Sequence, residues 1–147
     1  MSNIKYKSHN KTVLLYHVVF GIKYRRDVLS EAVTKTMVKK CKELGKTYDI
    51  DFIEIGTDTN HVHLLIQLSP TRNISEIVRI TKSITAREIF AVNPEVKEKL
   101  WGGQFWSDGY WAVTVSRTGT EDEIRNYVKN QGKIYNQLHR REFKPEF

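Results

Sequence analysis

The stretch Asn60–Leu68, NHVHLLIQL, constrains the fold more than any other part of the chain. Side chains alternate across a strand, so Val62, Leu64, Ile66 and Leu68 share one face and His61, His63, Leu65 and Gln67 share the other. The all-aliphatic face must be covered by helices, which calls for a helix layer on a sheet. The opposite face sets two imidazoles one strand-step apart, close enough to grip one divalent ion. From the strand alone, two surface histidines on a solvated face remain an equal alternative.

The rest of the chain supplies the matching elements. Thr12–Phe20, TVLLYHVVF, is short and rich in β-branched and aromatic residues, as a buried strand is. Ser30 is placed to cap a helix running to about Tyr48, with Val33, Met37, Cys41, Leu44 and Tyr48 as its apolar stripe. That stripe makes Cys41 a core residue and not a nucleophile. A strand over Asp51–Gly56 joins His61–Leu68 through the turn Thr57-Asp58-Thr59-Asn60. Asn73, with Glu76 three residues on, opens a second helix carrying Ile74, Ile77, Val78, Ile80 and Ile84, which ends before Pro94. A strand over Tyr110–Ser116 and a last helix from Thr120 to about His139 complete the order. This βαββαβ series predicts an α+β, ferredoxin-like fold, a four-stranded antiparallel sheet plus a C-terminal helix, in one domain over residues 1–147. The long connector Val92–Gly109 holds Trp101, Phe105 and Trp106. The aromatics of the Trp101–Trp111 block could stack bases, although packing in the core is the commoner fate.

Composition narrows the partner. The chain has 147 residues, with 24 Lys and Arg against 17 Asp and Glu, a net charge of +7. A basic excess of this size favours a polyanion, most simply nucleic acid. Lys23, Arg25, Arg26, Lys82 and Arg87 are the candidate phosphate contacts, with Arg140 and Arg141 weaker ones. The single cysteine excludes an internal disulfide, and no run of apolar residues reaches the ~18 of a membrane span, so a cytoplasmic location is expected. No P-loop is present.

The last helix carries the remaining chemistry. Thr120 and Glu123 form a capping-box pattern, and Tyr127 and Gln131, four residues apart, stack on one helix face. Tyr127 could be an ordinary aromatic of an amphipathic helix. Gln131 is harder to explain so close to the apolar stripe, because a buried amide without partners costs ~1–3 kcal/mol. Gly132 beside it lowers helix propensity by a further ~1 kcal/mol, which suggests a close approach at this turn.

Four blocks in this order resemble the HUH single-tyrosine transposases of small bacterial insertion sequences, the IS200-like family. They are YHVVFGIKYRRDVL (16–29), GTDTNHVHLLIQLSP (56–70), LWGGQFWSDGYWAVTV (100–115) and EIRNYVKNQ (123–131). The resemblance implies that His61, His63 and Gln131 bind a catalytic divalent ion and that Tyr127 is the nucleophile. It implies cleavage and rejoining of single-stranded DNA hairpins at element ends through a 5′-phosphotyrosine. It also implies a homodimer whose sites are completed in trans. Mg²⁺ is the expected ion, with Mn²⁺ binding more tightly to imidazole. Two positions depart from the family pattern: Asn60 stands where Asp is common, and Arg117-Thr118-Gly119-Thr120 offers one glycine before the last helix. Two alternatives share the same sheet. One is a domesticated HUH nuclease acting on genomic repeats, and the other a non-catalytic nucleic-acid-binding module.

Overall fold

A ribbon of β1 (Lys5–Lys7) and β2 (Asn10–Thr12) leads into β3 (Leu15–Gly21) and a 3₁₀ turn at Lys23–Arg25. Then come α1 (Glu31–Tyr48), β4 (Ile50–Thr57), β5 (His61–Leu68), α2 (Ile74–Val92), a short α3 (Glu95–Lys99), β6 (Trp111–Thr114) and β7 (Asn136–Arg140). This computed structural model describes residues 5–7, 10–12, 14–100, 103–115 and 135–140. The main sheet is antiparallel throughout, in the order β6-β3-β5-β4-β7. Its first four strands, taken with α1 and α2, are the expected ferredoxin-like arrangement.

The helices begin where the sequence signals them. Ser30 Oγ accepts the amide hydrogen of Val33 at 3.2 Å, and Asn73 Oδ1 accepts those of Ser75 and Glu76 at 2.8 and 3.4 Å. These contacts satisfy amides that a helix N-terminus otherwise leaves open. The Asn73 cap is one-sided, because Glu76 turns its carboxylate to Arg72 at 3.3 Å. Val33, Met37, Cys41 and Leu44 of α1 are buried as expected. On α2 the buried line is instead Ile77, Thr81, Thr85 and Ile89 with Val78, and Ile74, Ile80 and Ile84 pack half-buried beside it. Thr81 enters the core with its Oγ1 making no hydrogen bond among the described residues, whereas Thr85 Oγ1 donates to the Thr81 carbonyl at 2.6 Å and accepts from Trp106 Nε1 at 3.0 Å. A buried hydroxyl with both roles filled carries no desolvation penalty of note.

Val62, Leu64, Ile66 and Leu68 join the helix-facing core, and Leu65 packs on the other face with Leu15 and Ile53. The connector after α2 is core in its second half, with Phe105 and Trp106 buried edge-to-face at 4.6 Å. Those two aromatics are therefore not available to stack bases, and Trp101 lies outside the described residues. No helix among the described residues is long and apolar enough to cross a membrane.

Two expectations are corrected. The sheet has a fifth strand, and residues 136–140 belong to it and not to the end of the last helix. The spacing of Ile124, Val128, Tyr135 and Leu138 suits a helix, but β7 pairs with the otherwise open edge of β4, with Glu54 opposite Arg140 and Thr57 opposite Asn136. Covering a sheet edge with a buried ion pair outweighs local periodicity. The remainder of the expected helix, including Tyr127 and Gln131, lies outside the described residues.

Candidate metal and nucleic-acid site

The second face of the sheet is buried and polar. His63 is 2% exposed, and His17, Glu54 and Gln67 are fully buried. This disposes of the solvated-face alternative for His63. Polar side chains in such a place need partners, and His63 has one at each ring nitrogen. Nε2 lies 2.9 Å from Asp58 Oδ2, and Nδ1 lies 3.3 Å from His17 Nε2.

Asp58 organises the site from the β4–β5 turn. Its Oδ1 accepts the amide hydrogens of Asn60 and His61 at 3.2 and 2.9 Å, a local Asx turn, and its Oδ2 is left to face His63. His61 Nδ1 comes to 3.5 Å of the same carboxylate. Burial raises the Asp58 pKa, but the bonds from His63 and the Asn60 amide and the nearby imidazoles outweigh it and hold the carboxyl below its usual range. The supporting carboxylate therefore stands two residues before Asn60. Asn60 itself gives its carbonyl to the Ile22 amide at 2.9 Å.

His61 is more open, with 30% of its side chain exposed. Its Nε2 lies 2.7 Å from Arg25 Nη1, where the guanidinium donates. Arg25 reaches it from a strained turn in which two consecutive non-glycine residues, Tyr24 and Arg25, hold φ of 59° and 53°. That conformation costs an L-residue roughly 1–2 kcal/mol. It persists because the turn is pinned by Lys23 N–H to the Phe105 carbonyl and Arg25 N–H to the Ile22 carbonyl, both at 2.9 Å. Gly21 clears the path: a Cβ there would stand 2.1 Å from Arg25 Nη1 and 3.1 Å from the His61 ring. Buried His17, by contrast, has its pKa lowered to about 4, first by desolvation and then by the charge His63 would carry.

The other sequence candidates separate in space. Arg25 and His61 open onto a cleft of ≈ 240 Å³ with Gly21, Tyr110 and Trp111 on its walls. Tyr110 and Trp111 are 43% and 44% exposed. Ser107, Asp108 and Gly109 are shared with a second cleft of ≈ 540 Å³, which Arg79, Lys82 and Arg87 line. Arg79 is not singled out by the sequence, where its signal is helical spacing of four and eight before Ser83 and Arg87. Lys82 is no free cation. Its ammonium donates to the carbonyls of Ser107 (2.9 Å) and Gly109, and burial lowers its pKa, only partly offset by Asp108. Arg26 faces a different cavity with Asp27, Glu98 and Lys99, and Lys23 lies over the Tyr24 ring at 5.3 Å. Arg140, 8% exposed, is bound to Glu54 at 2.8 Å, so it is not a phosphate contact. Arg141, Tyr127 and Gln131 are outside the described residues.

A third group borders His63. The Tyr135 ring stands edge-on to it at 5.8 Å, and the Tyr135 hydroxyl donates to Glu54. Burial, then the bond to the Glu54 carboxylate, raises the Tyr135 pKa far above the ordinary phenol value. Glu54 reaches this face through a β-bulge between Phe52 and Glu54. The bulge sets Ile53 and Glu54 off the helix side, while Phe52 and Ile55 stay in the helix-facing core.

As a metal site, the described residues supply two converging imidazole nitrogens beside a carboxylate, a donor set that suits a borderline divalent ion. Among them there is no group of three or more His, Cys, Asp or Glu able to hold an ion unaided. Asp58 is engaged by the turn amides and His63. The pair thus fits a metal once another donor joins it.

Comparison with known proteins supplies the family. The family description "Transposase IS200 like" matches residues 10–131. The ISDra2 transposase TnpA of Deinococcus radiodurans is 33% identical over 118 residues, which span 80% of this chain and 84% of that protein. The transposase of insertion sequence element IS200 of Salmonella typhimurium is 24% identical over 131 residues, 89% of this chain and 85% of that one. A crystal structure of a Deinococcus radiodurans R1 protein assigned as a transposase superposes with a TM-score of 0.70 and 28% identity, covering 86% of this chain and 97% of that one. A REP-associated tyrosine transposase bound to a REP hairpin shares the fold alone, at a TM-score of 0.55 and 12% identity over 84% of this chain and 67% of its own. The chain belongs to the IS200-like transposase family.

Proposed function

We propose that the chain cleaves and rejoins single-stranded DNA at insertion-sequence ends, with Tyr127 as nucleophile and a divalent ion held by His61, His63 and Gln131. The observation that carries the reading is the convergence of His61 and His63 on Asp58 at the edge of a cleft lined by an arginine and exposed aromatics. When bound, the ion, Mg²⁺ or Mn²⁺, would neutralise the non-bridging phosphate oxygens.

The chain's own residues divide the remaining work. Arg25 is set to pair with a phosphate oxygen near His61, and Tyr110 and Trp111 offer faces for stacking bases. Arg79 and Arg87 line the adjoining cleft, where the backbone of the strand would run. Tyr127 Oη forms a bond to phosphorus as the P–O3′ bond breaks. The phenol loses its proton, the 3′ oxygen gains one, and the strand's 5′ end is left on the tyrosine. Attack by another 3′-hydroxyl reverses these bonds and rejoins DNA, with no nucleotide cofactor consumed. Hairpin DNA is the substrate form we favour, since a relative of the same fold is bound to a REP hairpin. Pairing of two copies, with the Tyr127 segment of one completing the site of the other, belongs to the same proposal.

The test is incubation with a labelled single-stranded hairpin from the flanking DNA and Mn²⁺, followed by denaturing electrophoresis. A protein–DNA adduct lost with EDTA and in Tyr127→Phe is expected. Tight metal-independent binding without an adduct from any flanking strand would replace the enzyme by a nucleic-acid-binding module.

A further inference from the structure

The face that carries His63 holds a second buried histidine for which the reaction above has no use. β3 and β5 set the two on diagonal positions, His17 opposite Leu65 and His63 opposite Val19. Their rings lie 19° from parallel, and His17 Nε2 is 3.3 Å from His63 Nδ1. Trp111 stands edge-on to His17 at 5.3 Å and Tyr135 edge-on to His63 at 5.8 Å. Turning the His63 ring over would break its bonds to both Asp58 and His17.

We propose that His17 is a positioning residue for His63: it accepts a hydrogen bond from the Nδ1–H of His63 and so keeps the Nε2 lone pair directed at the metal ion. The inference rests on the metal reading of His61 and His63 given above.

A neutral imidazole has one N–H and one lone pair. With no ion, Asp58 can only accept, so His63 donates from Nε2 and accepts at Nδ1 from the Nε2 hydrogen of His17. An ion needs the Nε2 lone pair, so the single hydrogen of His63 then stands on Nδ1 and needs an acceptor. His17 becomes that acceptor by carrying its own hydrogen on Nδ1 instead of Nε2, with no change in the charge of either ring. A metal-bound histidine whose other N–H is accepted by a fixed partner is a better-oriented ligand. Phe or Leu at 17 would fill the space and leave a buried N–H without an acceptor. The amide of Gln can give or take a hydrogen as His17 does.

The experiment measures Mn²⁺ affinity by titration calorimetry in the wild-type chain, His17→Phe and His17→Gln, and the ring-nitrogen NMR spectrum of the wild type with Zn²⁺ as a diamagnetic probe. Mn²⁺ binding about 10–100-fold weaker in His17→Phe, and within about three-fold of wild type in His17→Gln, is expected. The Zn²⁺-loaded wild type should carry its His63 hydrogen on Nδ1. Equal affinity in His17→Phe overturns the role of His17 and leaves the metal reading standing, whereas a His63 hydrogen on Nε2 in the loaded wild type overturns both, because that nitrogen then has no lone pair for the ion. A wild-type chain that holds neither ion overturns both. Should His17→Phe not fold, the wild-type spectrum decides alone.

Discussion

Glu54 and Arg140 illustrate what one buried pair does at the scale of a residue. Glu54 is fully buried and bonded by both Arg140 and the Tyr135 hydroxyl. Replacing such a pair together can be nearly neutral, but removing one partner strands the other. Arg140→Met should therefore cost about 3–5 kcal/mol in urea unfolding, and the double variant Glu54→Gln, Arg140→Met should recover part of that loss. His17 gives a pH dependence of known sign. Its pKa falls from 6.5 to about 4 on folding, so the unfolded chain binds more protons between those values. Its contribution to stability is complete above 6.5 and is lost as pH falls toward 4, by up to about 3 kcal/mol. Urea midpoints of wild type and His17→Gln at pH 7 and pH 4.5 should show a smaller acid loss in the variant. Cys41, buried with its thiol pushed up to about 12, should not react with a disulfide reagent at pH 8 in the folded protein and should react once unfolded.

The elements show which parts of the fold were legible in the sequence. Strand β5 and both long helices could be read because their signals are local: alternation in NHVHLLIQL, and the caps at Ser30 and Asn73. Asp58 was not read as part of the site, since nothing in TDTN distinguishes a turn aspartate that also bonds a histidine from one that does not. His17 sat inside an apolar run and looked like strand filler. Its role depends on a neighbour 46 residues away. Strand β7 was missed for the same kind of reason, because its partner and its ion pair lie on β4. Charge alone suggests Lys82 as a phosphate contact, whereas the fold engages it with two carbonyls. Gly56 tests the docking of β7 directly: a Cβ there would stand 2.2 Å from the Tyr135 ring. Gly56→Ala should expel Tyr135 and expose residues 135–140 to limited proteolysis, with the β3–β5–β4 core still protected.

At the scale of the whole molecule, the cations of the described residues divide between exposed and engaged ones. Arg79 and Arg87 are exposed on one wall of the larger cleft, while Lys82 and Arg140 are engaged by carbonyls and by Glu54. Single-strand binding by an Arg79→Gln, Arg87→Gln variant should weaken across sequences, and the slope of log affinity against log salt should drop by about 1.4 for two lost phosphate contacts. Lys82→Met should act differently, loosening residues 107–109 with a smaller change in the salt slope. The clamp at Glu54 has a consequence for synthesis. A ribosome makes Glu54 81 residues before Tyr135 and 86 before Arg140, and chains begin folding from the N-terminal side. Until both arrive, a nascent chain that packed β4 would bury an uncompensated carboxylate, so the edge of the sheet beside His63 has reason to stay open. The residues between 57 and 134, the Tyr127 segment among them, are made before that edge can close. The strand that seals it is therefore made after every other strand of the sheet, and the growing chain would lack a finished sheet beside its histidines until residue 140 is in place.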